Sequence, residues 1–192
     1  MLNIILFGAP GTGKGTQSEN IIENYNLIHL STGDILREEI SASTSIGNLA
    51  KLYIDKGQLV PDSVILKLLY YKTYRIENPK GFIFDGFPRN IVQATLLDKY
   101  LNKKHTPISI VFYLDVEEEE LFRRILYRAK QSHRTDDIED VIRNRIEVYK
   151  NQTLPLLEYY KSSGKLVRID GMHTVEEVFC QVKTEIDKIL KK

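Results

Sequence analysis

Cysteine is almost missing from this 192-residue chain: Cys180 stands alone. One thiol excludes an internal disulfide and any zinc cluster built on cysteines. An excess of charge of one sign is missing too, since 27 Lys and Arg face 26 Asp and Glu, a formal net charge of +1. No global field draws such a chain to nucleic acid or to a membrane surface, so any basic patch must be local. Long apolar runs are absent: none reaches the length of a membrane span. The N-terminus enters a short strand directly, without the basic start, longer apolar stretch and cleavage site of a secretion signal. These absences lead to the expectation of a cytoplasmic protein that partners neither nucleic acid nor membrane. Internal repeats, low-complexity tracts and interdomain linkers are not found either, so residues 1–192 read as a single domain. Cys180 itself falls among Val175, Val178, Phe179, Val182 and Ile186, a helical stripe, where a structural thiol is expected.

Glycine, by contrast, is concentrated. Gly8, Gly11, Gly13 and Gly15 lie within eight residues. They follow the apolar run Ile4, Ile5, Leu6 and Phe7, which reads as a strand buried on both faces. Glycines so placed let successive N–H groups converge on phosphate oxygens. Lys14 adds a positive charge, and a helix beginning there aims its positive end at the same anion. The spacing Gly8-x4-Gly13-Lys14 fits a P-loop, but Gly15 follows the lysine and the hydroxyl arrives only at Thr16. In the general pattern that hydroxyl ligates magnesium, so direct ligation by Thr16 stays open.

Further along, the pattern predicts a helix from Lys14 and a short strand over residues 27–30. That strand ends at Ser31-Thr32-Gly33-Asp34, which reads equally as a helix cap and as a ligand loop at the carboxyl edge of a parallel strand. Helical patterns then run to Gly57 and resume after Pro61, with Val64, Ile65, Leu68 and Leu69 on one face. Between them residues 31–60 form a small lobe, too short to fold alone. Residues 81–89, Gly-Phe-Ile-Phe-Asp-Gly-Phe-Pro-Arg, describe a strand ending in Asp85. Beside the cradle, that carboxylate holds a Walker B position, where waters on magnesium would lie. Residues 108–114 and 167–169 read as two more strands, and residues 175–190 as the closing helix. Five strands alternating with helices give an α/β fold with a parallel sheet covered on both faces. Arg124 and Arg128, four apart, share a helix face with Arg134, Arg143 and Arg145 to follow. They read either as a solvated face paired with the glutamates 117–120 and nearby aspartates, or as a phosphate clamp.

Taken in order, Gly8-Ala9-Pro10-Gly11-Thr12-Gly13-Lys14-Gly15-Thr16, Ser31-Thr32-Gly33-Asp34, Asp85-Gly86-Phe87-Pro88-Arg89 and Arg134-Thr135-Asp136-Asp137 resemble the motifs of adenylate kinases over the whole length of the chain. The resemblance implies the three-layer P-loop NTPase fold, an NMP-binding lobe at 31–60 and a short lid at 128–138. It implies reversible transfer from MgATP to AMP giving two ADP, by a protein expected to be monomeric. Gly15 is shared by that family, in which magnesium is held mainly by phosphates and water, with Asp85 orienting the waters. By the same resemblance Gly11, Thr12, Gly13, Lys14, Gly15 and Thr16 hold the ATP phosphates. Arg124 and Arg128 lie on the ATP side, Arg124 against the adenine, and Met172 and His173 touch ATP through backbone. Thr32, Arg37, Gln58, Leu59, Val60, Gly86, Phe87, Pro88, Arg89 and Gln93 form the AMP pocket. Arg134 and Arg145 reach the phosphates of both substrates, so the expected catalytic set is Lys14, Asp85, Arg89, Arg124, Arg128, Arg134 and Arg145. The lid has neither the length nor the cysteines of zinc-binding members, so no metal besides magnesium is expected. Two other readings stand beside this one. Asn90 resembles the pyrimidine-reading Asn of UMP/CMP kinases, whereas Thr32 and Gln93 match the adenylate pattern. A non-catalytic nucleotide switch would need Asn-Lys-x-Asp, and Asn102-Lys103-Lys104-His105 lacks the aspartate.

Overall fold

The computed structural model describes residues 1–74, 76–131 and 138–191. Leu2–Phe7 forms β1, buried along its whole length. It lies at the centre because parallel strands on both sides need a strand with no polar face. Ile28–Ser31 (β2), Gly81–Asp85 (β3), Ile110–Asp115 (β4) and Leu166–Asp170 (β5) complete an all-parallel sheet of order β2-β3-β1-β4-β5.

Side chains alternate across this sheet with period two. Leu2, Ile4 and Leu6 of β1, with Ile83, Ile110, Phe112 and Leu114, pack on α1 (Lys14–Tyr25) and α9 (Val175–Leu190) through Ile21, Val178, Val182 and Ile186. Ile5, Phe7, Phe82, Phe84 and Val111 face the other way. They meet α2 (Thr32–Ser41), α3 (Ser45–Ile54), α4 (Asp62–Tyr74), α5 (Ile91–Lys103) and α8 (Leu156–Ser162) in the larger core. Segment 31–60 contributes Ile35, Leu36, Ala50 and Val60 to that core, so its packing is continuous with the sheet layer. A third, small cluster of Ile125, Ile142 and Ile146 joins α6 (Glu118–Gln131) to α7 (Glu139–Val148).

The helix ends follow their residues. Ser31, Thr44, Asn90 and Thr174 each accept a backbone N–H at the start of α2, α3, α5 and α9, each such cap contributing about 1 kcal/mol. The stripe on α9 runs through Val178, Val182 and Ile186. Cys180, two positions off that stripe, is exposed, which corrects the expectation of a packed thiol: a helix turns about 200° in two residues. Among the described residues no helix is long and apolar enough to cross a membrane.

Candidate active site

Every strand of a parallel sheet points its carboxyl end the same way, and ligands bind at that edge where the connections diverge. In this chain β1 ends beside β3 and β4, with Leu6 opposite Asp85 and Phe7 opposite Tyr113. The loop after Phe7 therefore sits at the centre of the edge. Gly11 adopts φ +89°, and a Cβ there would come within 2.8 Å of Ile125 and 3.0 Å of the Leu121 carbonyl. Only glycine lets the loop lie this close to α6. A Cβ on Gly15 would meet nothing within 4 Å, so its side faces open space.

Lys14 opens α1, and its Nζ donates to the carbonyls of Gly8 and Ala9, each at 2.9 Å. Enclosure in the cleft lowers its pKa to about 8; Asp85 acts in the opposite direction, while Arg89, Arg145 and Arg128 add to the lowering. A cation held among cations, over a loop of convergent amides, is a site made for a polyanion. Thr12 is buried, its Oγ1 donating to the Ala9 carbonyl at 3.0 Å, so its side chain shapes the loop. Thr16 is exposed and lines the cleft.

The cleft, about 410 Å³, is lined by Gly11, Gly13, Lys14, Gly15 and Thr16 of the cradle together with Arg37, Asp85, Gly86, Pro88, Arg89, Arg124, Arg128 and Arg145. A smaller chamber of about 80 Å³ adjoins it, lined by Thr32, Arg37, Gln58, Leu59, Val60, Gly86, Arg89, Gln93 and Arg145. The two share Gly33, Arg37, Gly57, Leu59, Gly86, Arg89 and Arg145. Gly86 joins their walls: its carbonyl accepts from Thr32 Oγ1 at 2.9 Å and from Arg89 Nε at 2.7 Å. Arg37 pairs with Asp34. Burial raises the Asp34 pKa, but hydrogen bonding to Ser31 and the Arg37 guanidinium outweigh it and leave the carboxyl below its ordinary value.

Asp85 is buried at the end of β3, with Oδ2 at 3.4 Å from His29 Nε2 on the neighbouring strand. Asp85 and Thr16 both line the cleft, and their side-chain oxygens are the hard ligands that magnesium and its waters require. Among the described residues no group of three or more His, Cys, Asp or Glu is placed to hold a metal ion by itself.

The arginine series divides. Arg124 donates to Glu120 and, through Nη2, to the Gly171 carbonyl at 3.0 Å. That bond brings the turn of Met172 and His173 beside the cleft, although neither of those side chains lines it. Arg123 and Arg143 point outward and pair with Glu120 and Glu139. The solvated-face reading thus holds for one row of α6 and α7 and the cleft-lining one for Arg124, Arg128 and Arg145. Hydrogen bonds from Arg123 and Arg124 hold Glu120 well below the usual carboxylate range, at about 2. Ser31 unites both readings of its loop, capping α2 while lining the cleft. Phe87 is 1% exposed and belongs to the core. Arg134 and most of the 128–138 segment lie outside the described residues.

Several cleft residues carried no signal in the sequence. Tyr149 and Thr153 belong to a π-helical turn, Tyr149–Thr153, after α7, and both line the cleft. Thr153 Oγ1 donates to the Arg89 carbonyl at 2.8 Å. An i to i+5 turn has no compositional mark, so only the three-dimensional arrangement reveals it. Gly57 at φ +67° abuts α7, where a Cβ would lie 2.8 Å from the Val141 carbonyl, and Asn144 donates to the Lys56 carbonyl nearby.

A glycine cradle on the central strand of a parallel sheet, with a lysine and a ring of guanidinium groups around one cleft, defines a P-loop protein that binds phosphorylated nucleotides. Comparison with known families narrows this. The family model described as adenylate kinase matches residues 6–165. The chain is 51% identical over 189 residues to an adenylate kinase of Parabacteroides distasonis, covering 98% of this chain and 100% of the relative. It is 50% identical over 191 residues to one of Azobacteroides pseudotrichonymphae, covering 100% of both. With one of Flavobacterium psychrophilum the identity is 45% over 190 residues, covering 98% and 100%. The chain belongs to the adenylate kinase family.

Proposed function

We infer that this chain catalyses reversible phosphoryl transfer from ATP to AMP, giving two ADP, with ATP on the cradle side of the cleft and AMP in the smaller chamber. The observation that carries this reading is the junction of the two chambers at Arg37, Gly86, Arg89 and Arg145. Phosphates entering from either side end between the same cations. Phosphoryl transfer calls for alignment and neutralisation more than for a base, because the accepting phosphate is already an anion.

On this reading Gly11 to Thr16 hold the ATP phosphates and Lys14 neutralises the outer ones. Arg124 and Arg128 serve the donor, Arg124 against the adenine, and the backbone of Met172 and His173 touches ATP. Thr32, Gln58, Leu59, Val60, Gly86, Pro88 and Gln93 hold AMP, and Arg37, Arg89 and Arg145 hold the phosphates that meet between the substrates. Residues 31–60 act as the AMP-side lobe. Asp85 would orient the waters of the magnesium that enters with ATP, an ion that would supply further charge neutralisation to the phosphates. The protein works in the cytoplasm, as a monomer, without zinc.

Selection for AMP over pyrimidine nucleotides is supported by the use to which Asn90 is put. Its Oδ1 accepts the Gln93 N–H at 2.8 Å and its Nδ2 donates to Asp62 at 3.0 Å. One polar end caps α5, the other ties it to Asp62 at the start of α4, and neither chamber wall includes Asn90. The test is ADP formation from MgATP with AMP, CMP and UMP in turn. AMP is expected to be turned over fastest; faster turnover of CMP or UMP would replace the assignment with a pyrimidine one.

A further inference from the structure

Gln93 is 2% exposed yet borders the smaller chamber. Its Oε1 accepts the backbone N–H of Arg89 at 2.7 Å, and its Nε2 donates to Oδ1 of Asp62 at 2.6 Å. A backbone N–H can only donate and an ionised carboxylate can only accept. Turning the amide over would set oxygen against carboxylate and NH2 against N–H. Asp62 is held in its turn. It is the first residue of α4, and the same Oδ1 accepts from Asn90 Nδ2 at 3.0 Å. Asp62 lines neither chamber, so whatever it does to a ligand it does through Gln93.

A primary amide that can turn over reads a purine edge in two ways. Adenine offers a donor at N6 beside an acceptor ring nitrogen, whereas hypoxanthine offers an acceptor at O6 beside a donating N1–H. A freely turning amide matches both. One that is locked matches a single pattern, through the second N–H and second lone pair it still has to offer. We propose that Asp62 is a positioning residue that makes Gln93 a one-way reader and so sets the preference for AMP over 6-oxopurine monophosphates. This rests on the reading of Gln93 as a base-facing residue of the AMP pocket.

The experiment measures kcat and KM for AMP and for IMP, with MgATP as donor, in the unaltered protein, Asp62→Asn, Asp62→Ala and Gln93→Ala. An asparagine at 62 keeps the size and can present either its oxygen or its NH2, which lifts the lock. An alanine removes the acceptor outright. Both Asp62 variants are expected to raise KM for AMP and kcat/KM for IMP. The AMP-to-IMP ratio of kcat/KM then falls on the order of tenfold, the scale of one charge-assisted hydrogen bond, while KM for ATP holds. A purely structural role would lower AMP and IMP turnover together, and an unchanged ratio in both Asp62 variants overturns the proposal. If Gln93→Ala collapses the ratio while both Asp62 variants preserve it, the pocket reading stands and only the role of Asp62 falls. If Gln93→Ala itself leaves KM for AMP unchanged, Gln93 is not the reader and both fall together.

Discussion

The two ends of the cleft are built in different ways. The cradle lines the cleft from one unbroken stretch, residues 8–16, four of whose residues are glycines with only backbone to offer. The smaller chamber takes its walls from α2, from residues 57–60, from residues 86–89 and from α5. Those segments are tied by side-chain bonds: Thr32 and Arg89 to the Gly86 carbonyl, Gln93 to the Arg89 N–H and Thr153 to the Arg89 carbonyl. A contiguous site fails where it is touched. An assembled one fails as a unit, since each wall is held by the others.

The largest effect is expected at the contiguous end. Lys14→Met should lower kcat by about a thousandfold, the scale of losing a preorganised electrostatic group. The thermal midpoint of the ligand-free protein should hold or rise, because the enclosed ammonium is disfavoured there. A steady-state assay beside a thermal melt checks both, and a kcat within tenfold of normal would break the contrast.

Next comes Arg89→Ala at the junction. Its kcat/KM for AMP should fall by about a hundredfold, since one guanidinium serves phosphate and wall alike. Thr32→Ala is expected to raise KM for AMP only about fivefold, because the Gly86 carbonyl keeps the bond from Arg89. Equal losses in the two variants would mean that the chamber is less cooperative than its bonds imply.

The pH dependence sharpens the comparison from the side of charge. Bound phosphates favour charged Lys14, so its pKa rises on binding above the ligand-free value of about 8. Nucleotide affinity should therefore be level below about pH 8 and decline above it, because binding must first restore the proton. For folding the sign is opposite. Between about 8 and the ordinary lysine value the unfolded chain holds more protons, so ligand-free stability gains with pH there relative to Lys14→Met. Calorimetric titration across pH 7–10 with both proteins reads both signs.

The smallest effect of all falls on Arg123, and it separates two neighbours on α6. Arg123 is an exposed partner of Glu120, while Arg124 lines the cleft and reaches Gly171. Arg124→Ala should raise KM for ATP about tenfold, and Arg123→Ala should stay within about twofold, as exposed pairs contribute little. Assays of the two variants at varied ATP make the comparison.

Much of this organisation is legible in the sequence. The alternation of apolar runs with helical periods leads to five parallel strands, and strands and helices lie close to where the periods place them. The cradle is legible because its physics is local: a glycine at φ +89° and a lysine at the helix start need no distant partner to be recognised. Asp85 is legible only beside the cradle, since a strand ending in aspartate is common. Cys180 was misplaced because two residues along a helix reverse the face. Arg123 and Arg124 could not be told apart, adjacent in sequence and alike in chemistry.

The glycine-rich stretch, the lysine and the order of the motifs were thus determined by sequence alone, because local backbone freedom and spacing suffice to define a phosphate cradle. Tertiary structure decided which arginines face the cleft and that Asn90 is a cap. It also placed the π-helical turn against Arg89 and brought Asp62 to lock Gln93 from 31 residues away. The Asn90 cap closes within three residues, but its tie to Asp62, the Thr153–Arg89 bond and the Gln93–Asp62 lock join segments 28 to 64 residues apart. No short window of sequence contains both partners of those bonds.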